Sequence, residues 1–112
     1  MITEQDIHDF TKGACYLLAD EISVVTGWPV CSFWTGFSQV EHVFNETPDG
    51  HYLDIEGKRS REEMISRWGW SKITRDHADV SKWSLPWWGK WKDEEHYRDR
   101  ARQLIPELLV SA

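Results

Sequence analysis

The stretch HVFNETPDGHYLDIEG, residues 42–57, decides the fold because a turn signal, TPDG, divides it into two β-strand patterns. Pro48 has the fixed φ that suits the first corner of a turn, and Gly50 tolerates the positive φ that such a turn requires. We expect a three-residue loop, which places Thr47 directly opposite His51. The stretch therefore predicts a β-hairpin with a defined register.

This register has a consequence for two polar residues of the hairpin. Counting back from the turn places Phe44 opposite Asp54 and His42 opposite Glu56. Since alternate residues of a strand point to the same face, His42 and Asp54 become diagonal neighbours, roughly 7–8 Å apart at most between Cβ atoms. A slip of one residue would place them on opposite faces of the sheet.

Further strands are expected on both sides of this turn. PVCSFWT (residues 29–35) and QVEHVFNE (residues 39–46) are β-branched and aromatic, HYLDIEG (residues 51–57) is the returning strand, and a short strand is expected around Ile73. With helical patterns before and after the sheet, the order of elements predicts an α+β fold, with N-terminal helices packed on a small antiparallel sheet and a C-terminal helix. Residues 1–112 are expected to form a single domain.

The helices have recognisable ends. Gly13 weakens the first helical pattern, which predicts a break and a new helix that starts at Ala14 or Cys15 and ends at Gly27. Two more helices follow the sheet. The first has a capping box formed by Ser60 and Glu63, and the second begins at Asp93 and is expected to be kinked or divided by Pro106.

Composition limits the classes of function. The chain has 112 residues and a formal net charge of −6, which disfavours nucleic acid as a partner because phosphates must be neutralised by Lys and Arg. No apolar run is long enough to span a membrane, and the acidic N-terminus does not resemble a signal peptide, so we expect a cytoplasmic protein. Cys15 and Cys31 are expected to be free thiols in that reducing compartment. No cofactor is expected.

Cys15 is the candidate nucleophile. At a helix start, unpaired backbone N–H groups and the helix dipole stabilise a thiolate, and the same N–H groups can stabilise the oxyanion of an acyl intermediate. A base and a group that orients the base must then lie beside the sulfur, and His42 and Asp54 have the residue types for these roles. The alternative is structural, because cysteine is among the most buried residue types and Asp54 can cap the turn at Gly57.

The segments GACYLLADEI, EHVFNE and GHYLDIEG resemble, in order and context, the compact bacterial members of the papain-like superfamily, which include small cysteine peptidases, amidases and transglutaminase-like proteins. This resemblance covers about the first half of the chain and implies Cys15 as nucleophile, His42 as general base and Asp54 as orienter. It also implies a peptide or amide substrate. The flank of Cys15 lacks the glutamine that papain-type enzymes use in the oxyanion hole, which leaves that donor open. The segments TGWP and PDGHYLD also resemble small uncharacterised proteins of phages and mobile elements.

Two other interpretations stay open. His42, His51, Asp49 and Asp54 lie close in sequence, but their spacing is not that of a metal site, and no metal is expected. The segment KWSLPWWGKWK supplies Trp87, Trp88 and Trp91 as candidate binding residues, since tryptophan is enriched at interface hot spots. The alternative function is therefore a non-catalytic acidic interaction protein of a phage or mobile element, for example an inhibitor of a host defence system, that binds a protein partner.

Overall fold

The computed structural model describes residues 1–34, 40–69, 73–75, 94–110 and 112. These residues form an α+β fold, whose helices are α1 (Glu4–Lys12), α2 (Cys15–Thr26), α3 (Arg61–Trp68) and α4 (Glu94–Val110). The strands are β1 (Val30–Trp34), β2 (Val40–Glu46), β3 (Tyr52–Asp54), β4 (Gly57–Arg59) and β5 (Ile73–Arg75).

The five strands form one antiparallel sheet in the order β4-β3-β2-β1-β5. The predicted hairpin register is confirmed, because Asn45 pairs with Leu53 and the Thr47 N–H donates to the His51 carbonyl at 2.8 Å. Gly50 has a φ of 81°, the positive value that the turn requires. The β-strand around Ile73 is also confirmed.

The sheet carries a hydrophobic cluster on each face. On one face, α1, α2 and α4 pack against Val43 of β2 and Leu53 of β3. On the other face, α3 packs against Phe44 of β2 and Tyr52 of β3. Neighbouring residues of a strand point to opposite faces, so consecutive residues of β2 belong to different clusters. This alternation determines from which side each candidate site residue approaches the sheet.

The predicted helix boundaries are confirmed where they depend on caps. Helix α2 begins at Cys15, and Gly27 ends it with a φ of 75°. Ser60 and Glu63 form the expected capping box at the start of α3. The last helix runs continuously through Pro106, so this proline does not divide it, and a kink at Pro106 stays a prediction. Its buried side chains, which include Leu104 and Leu108, hold the helix against α2 despite the missing N–H.

The returning strand is shorter than predicted. It ends at Asp54, and the chain then turns back and forms β4 at the edge of the sheet. The sequence of β4 is Gly-Lys-Arg, which has no apolar residue to indicate a strand. The turn between the two strands matters for the site because it fixes the Asp54 carboxylate.

Candidate active site

His42 lies in the middle of β2 and is fully buried on the α3 face. Its Nε2 atom lies 2.9 Å from Oδ2 of Asp54, which is likewise buried. The prediction that these two residues share a face on neighbouring strands is therefore confirmed. The imidazole ring and the carboxylate form a hydrogen-bonded pair out of contact with solvent, where such a bond is electrostatically stronger than in water.

The Asp54 carboxylate is held from three sides. Its Oδ1 atom accepts a 2.8 Å hydrogen bond from the Glu56 N–H, which fixes the turn after β3. Its Oδ2 atom faces His42 and also lies 3.5 Å from Nη1 of Arg59 on β4. The two interpretations of Asp54 are thus compatible, because one oxygen caps the turn and the other is available to orient the histidine.

Trp68 is part of the site although the sequence indicates only that it belongs to α3. Its ring stacks on the His42 ring with a centroid distance of 3.8 Å and an interplanar angle of 16°. Phe44 lies at 5.5 Å from the same imidazole, and the Arg67 guanidinium lies 5.0 Å from the Trp68 ring. The imidazole is therefore fixed in orientation by its neighbours as well as by Asp54. No short motif could have indicated this contact, because it depends on where α3 crosses the sheet.

The other ring nitrogen of His42 is unpaired. Nδ1 is buried and has no hydrogen-bond partner among the residues that the structure describes, and the Cys15 thiol is accordingly not within hydrogen-bonding geometry of it. Leaving a buried polar atom unpaired costs about 1–3 kcal/mol. Such atoms are uncommon in native proteins and call for a physical or functional explanation.

Cys15 is the first residue of α2 and is only 2% exposed. Burial raises the pKa of its thiol to about 12, and the charge of Asp54 acts in the same direction. The backbone N–H groups of Val43, Tyr16 and Cys15 itself oppose this rise. The resting thiol is therefore neutral, although it lies among three N–H donors that favour negative charge.

Cys15 and His42 approach β2 from opposite faces. Cys15 packs in the same cluster as Val43, whereas His42 stacks on Trp68 on the α3 side. The thiol nevertheless lies beside the backbone of Val43, the residue that directly follows His42. The structure therefore brings His42 and Asp54 into contact and places Cys15 beside the same segment of β2, without a hydrogen bond between the thiol and the imidazole.

The remaining candidates lie apart from this site or outside the described residues. His51 and Asp49 sit at the exposed hairpin turn, where Nδ1 of His51 lies 3.5 Å from the Asp49 carboxylate. Within the described part of the chain, no three His, Cys, Asp or Glu side chains come together as a metal site. Cys31 is buried in the cluster on the α3 face. The predicted binding residues Trp87, Trp88 and Trp91 fall outside the described residues.

Comparison of this chain with models of protein families, with curated proteins and with solved structures finds no match. In the ranges that the structure describes, none of the helices has both the length and the apolar character needed to cross a lipid bilayer.

Proposed function

We propose that this protein is a cysteine-dependent hydrolase or acyl-transfer enzyme with a papain-like core, acting on a peptide or another amide. Cys15 is the nucleophile, His42 the general base and Asp54 the group that orients it. One observation carries the proposal: His42 is buried with Nε2 bound to a carboxylate and Nδ1 left unpaired. This is the state in which an imidazole is ready to accept a proton on Nδ1.

The neutral thiol determines how the first step proceeds. Because burial raises the pKa of Cys15 to about 12, a stable thiolate is not the starting state. Nδ1 of His42 takes the thiol proton as the sulfur bonds to the substrate carbonyl carbon, and the Asp54 carboxylate stabilises the imidazolium that forms. This step requires a rearrangement that brings the thiol and the imidazole, which approach β2 from opposite faces, within hydrogen-bonding distance of each other.

The second step releases the product. The imidazolium returns its proton to the leaving amine as the carbon–nitrogen bond breaks, which leaves an acyl thioester on Cys15. In a hydrolase, water then attacks the thioester with His42 again as the base, and in an acyl transferase an amine or a thiol does so. Trp68 acts as a positioning residue because its ring covers the imidazole throughout.

The amino-acid composition supports a cell compartment and a class of partner for this reaction. We place the protein in the cytoplasm, where Cys15 and Cys31 stay reduced. No disulfide bond joins Cys15 and Cys31. The net charge of −6 favours a substrate or partner protein with basic groups.

The alternative function, a non-catalytic interaction protein, has an observation of its own. The Cys15 thiol is buried, its pKa is raised, and it makes no hydrogen bond to His42. A scaffold that has lost its activity would have these properties as well. The two functions differ in whether His42 affects the reactivity of Cys15.

Alkylation by iodoacetamide near neutral pH, with the labelled residue located by mass spectrometry, tests the proposal. We expect Cys15 to be labelled before Cys31, because Cys15 lies at a helix start and Cys31 lies inside the cluster under α3. Cys31→Ala is the matched control and should keep the labelling of Cys15. Equal labelling of the two thiols in the folded protein, or labelling of Cys31 first, would contradict the catalytic function.

A further inference from the structure

We propose that the backbone N–H of Val43 is the oxyanion-binding donor of this site. It would take the place of the glutamine side chain that the flank of Cys15 lacks. The inference rests on the proposed function, and it identifies the group that donates a hydrogen bond to the oxyanion of the tetrahedral intermediate.

The direction of the Val43 N–H follows from the hydrogen bonds further along β2. The Thr47 N–H donates to His51 at the β3 side, and the Glu46 N–H donates to Pro29 at the β1 side, at 3.1 Å. Backbone N–H groups alternate between the two sides of a strand, so those of Asn45 and Val43 point the same way as that of Thr47. The N–H of Val43 is therefore directed toward β3.

Opposite Val43, β3 no longer supplies a backbone carbonyl as a hydrogen-bond acceptor. Its pairing with β2 runs through Glu46 and Asn45, and the next hydrogen-bonded partner in this register would be Ile55. Ile55 belongs instead to the turn that Asp54 fixes by accepting the Glu56 N–H. Within the described residues, the Val43 N–H thus has no backbone acceptor across the strand pair.

Helix α2 packs Cys15 against this part of the sheet. The Asn45 side chain anchors the helix by donating to the Ala19 carbonyl at 2.9 Å, one turn after Cys15. Cys15 and Val43 are buried in the same cluster. The Val43 N–H also lowers the pKa of the Cys15 thiol against the larger effect of burial, which is consistent with an N–H directed at the sulfur.

The Val43 N–H would act when the Cys15 sulfur attacks the substrate carbonyl. As the sulfur–carbon bond forms, the electron pair of the carbonyl π bond moves to oxygen, which becomes an oxyanion one bond from the attacked carbon. The N–H groups of Val43 on β2 and of Cys15 and Tyr16 at the start of α2 lower the pKa of the thiol, and in the proposed intermediate they donate hydrogen bonds to that oxygen. When the leaving group departs, the electron pair returns to re-form the carbonyl.

Two reactions of Cys15 separate oxyanion stabilisation from thiol reactivity. Acetylation by p-nitrophenyl acetate passes through a tetrahedral oxyanion and expels p-nitrophenolate. Alkylation by iodoacetamide expels iodide and forms no oxyanion. In a Cys31→Ala background, residue 43 is replaced by 2-hydroxyisovaleric acid, which keeps the valine side chain and substitutes an ester oxygen for the N–H. We expect the ratio of acetylation rate to alkylation rate to fall on the order of 100-fold.

The control places the same hydroxy acid at Val30, on the neighbouring strand β1 and outside the proposed site, and should leave the ratio unchanged. If the ester variant does not fold by circular dichroism, NMR of the unaltered chain with 1,1,1-trifluoroacetone replaces it. The Val43 amide proton should move downfield when the hemithioketal forms on Cys15, and an unmoved resonance would overturn the proposal. An unchanged ratio alongside His42-dependent acetylation would overturn it as well and leave the proposed function standing. Absence of any acetylation at Cys15 would remove both.

Discussion

The charged side chains on the two faces of the sheet differ in how completely they are hydrogen-bonded. On the helical face, Asp6 of α1 and Arg100 of α4 form a bidentate pair at 2.7 and 2.9 Å. On the α3 face, Glu56 and Arg59 form ion pairs at 3.1–3.5 Å, yet each retains a buried atom without a hydrogen bond, as does His42. The first arrangement is typical of structural stabilisation.

The arrangement on the α3 face is typical of a functional site. Native proteins leave few buried polar atoms unpaired, and departures from this rule concentrate where function requires them. The Trp68 Nε1 atom is a further unpaired buried atom beside His42. Ser32 Oγ and Asn45 Oδ1 on the helical face are unpaired as well, so the two faces differ in their charged groups: those of the α3 face are held in place without all of their atoms being hydrogen-bonded.

Asp54→Ala is expected to lower the free energy of unfolding by about 3–5 kcal/mol, because it leaves buried His42 and Arg59 without their carboxylate. Urea denaturation followed by circular dichroism measures the change. Asp54→Asn, which keeps an oxygen for the Glu56 N–H, should lose less. A cost for Asp54→Ala below that of an exposed ion pair would contradict the central role of this carboxylate.

Cys15→Ala is expected to change how the free energy of unfolding depends on pH above about pH 9. Folding raises the pKa of the thiol from its ordinary value of 9.0 to about 12, so its contribution is complete below pH 9 and is lost as the pH rises through this window. The loss should reach about 2 kcal/mol at about pH 10.5, and Cys15→Ala should remove it. Denaturation at several pH values measures it, and Cys31→Ala serves for comparison. Parallel alkaline profiles for Cys15→Ala and the unaltered chain would show that the thiol does not titrate as described.

Trp68→Ala is expected to slow acetylation of Cys15 roughly five- to tenfold, since an aromatic stacking contact contributes about 1 kcal/mol. Trp68→Phe should recover most of the rate because a ring still covers His42. Stopped-flow absorbance of p-nitrophenolate measures both variants. If only the midpoint of thermal unfolding changes and the rate does not, Trp68 is a packing residue alone.

Asp6→Asn provides the contrast from the helical face and should cost about 1 kcal/mol, as expected for a partly exposed ion pair. Arg100 beside it holds the pKa of Asp6 at about 2, below its ordinary 3.8. The stabilisation is therefore present above about pH 4 and is lost as the pH falls toward 2. Acid denaturation should show this loss of stability in the unaltered chain and not in Asp6→Asn. An accompanying change in the acetylation rate of Cys15 would contradict the separation of the two faces.

The sequence predicts those parts of the fold that depend on local chemistry. The TPDG turn determines the register that places His42 next to Asp54, and the glycine break before α2 predicts its start at Cys15. Strand β4 could not be predicted, because an edge strand of Gly-Lys-Arg needs no apolar pattern.

The contacts that define the site are tertiary and are not encoded in short motifs. Trp68 reaches His42 only because α3 crosses the face opposite to α2. The unpaired Nδ1 of His42 depends on which side chains surround the ring in the folded chain, and the Val43 N–H lacks an acceptor on β3 only because that strand ends at Asp54. The sequence therefore names the three candidate residues and places His42 beside Asp54, but it does not give the position of Cys15 relative to that pair.

The rate of acetylation of Cys15 by p-nitrophenyl acetate at about pH 7 tests the central claim most directly, in the unaltered chain and in His42→Gln. Glutamine can still donate a hydrogen bond to Asp54 but cannot accept the thiol proton as a base. Circular dichroism confirms that the variant is folded, and intact-mass analysis in a Cys31→Ala background confirms the site of acetylation. The account predicts a loss of about 10²–10⁴-fold in His42→Gln. Equal rates in the two folded proteins would contradict it.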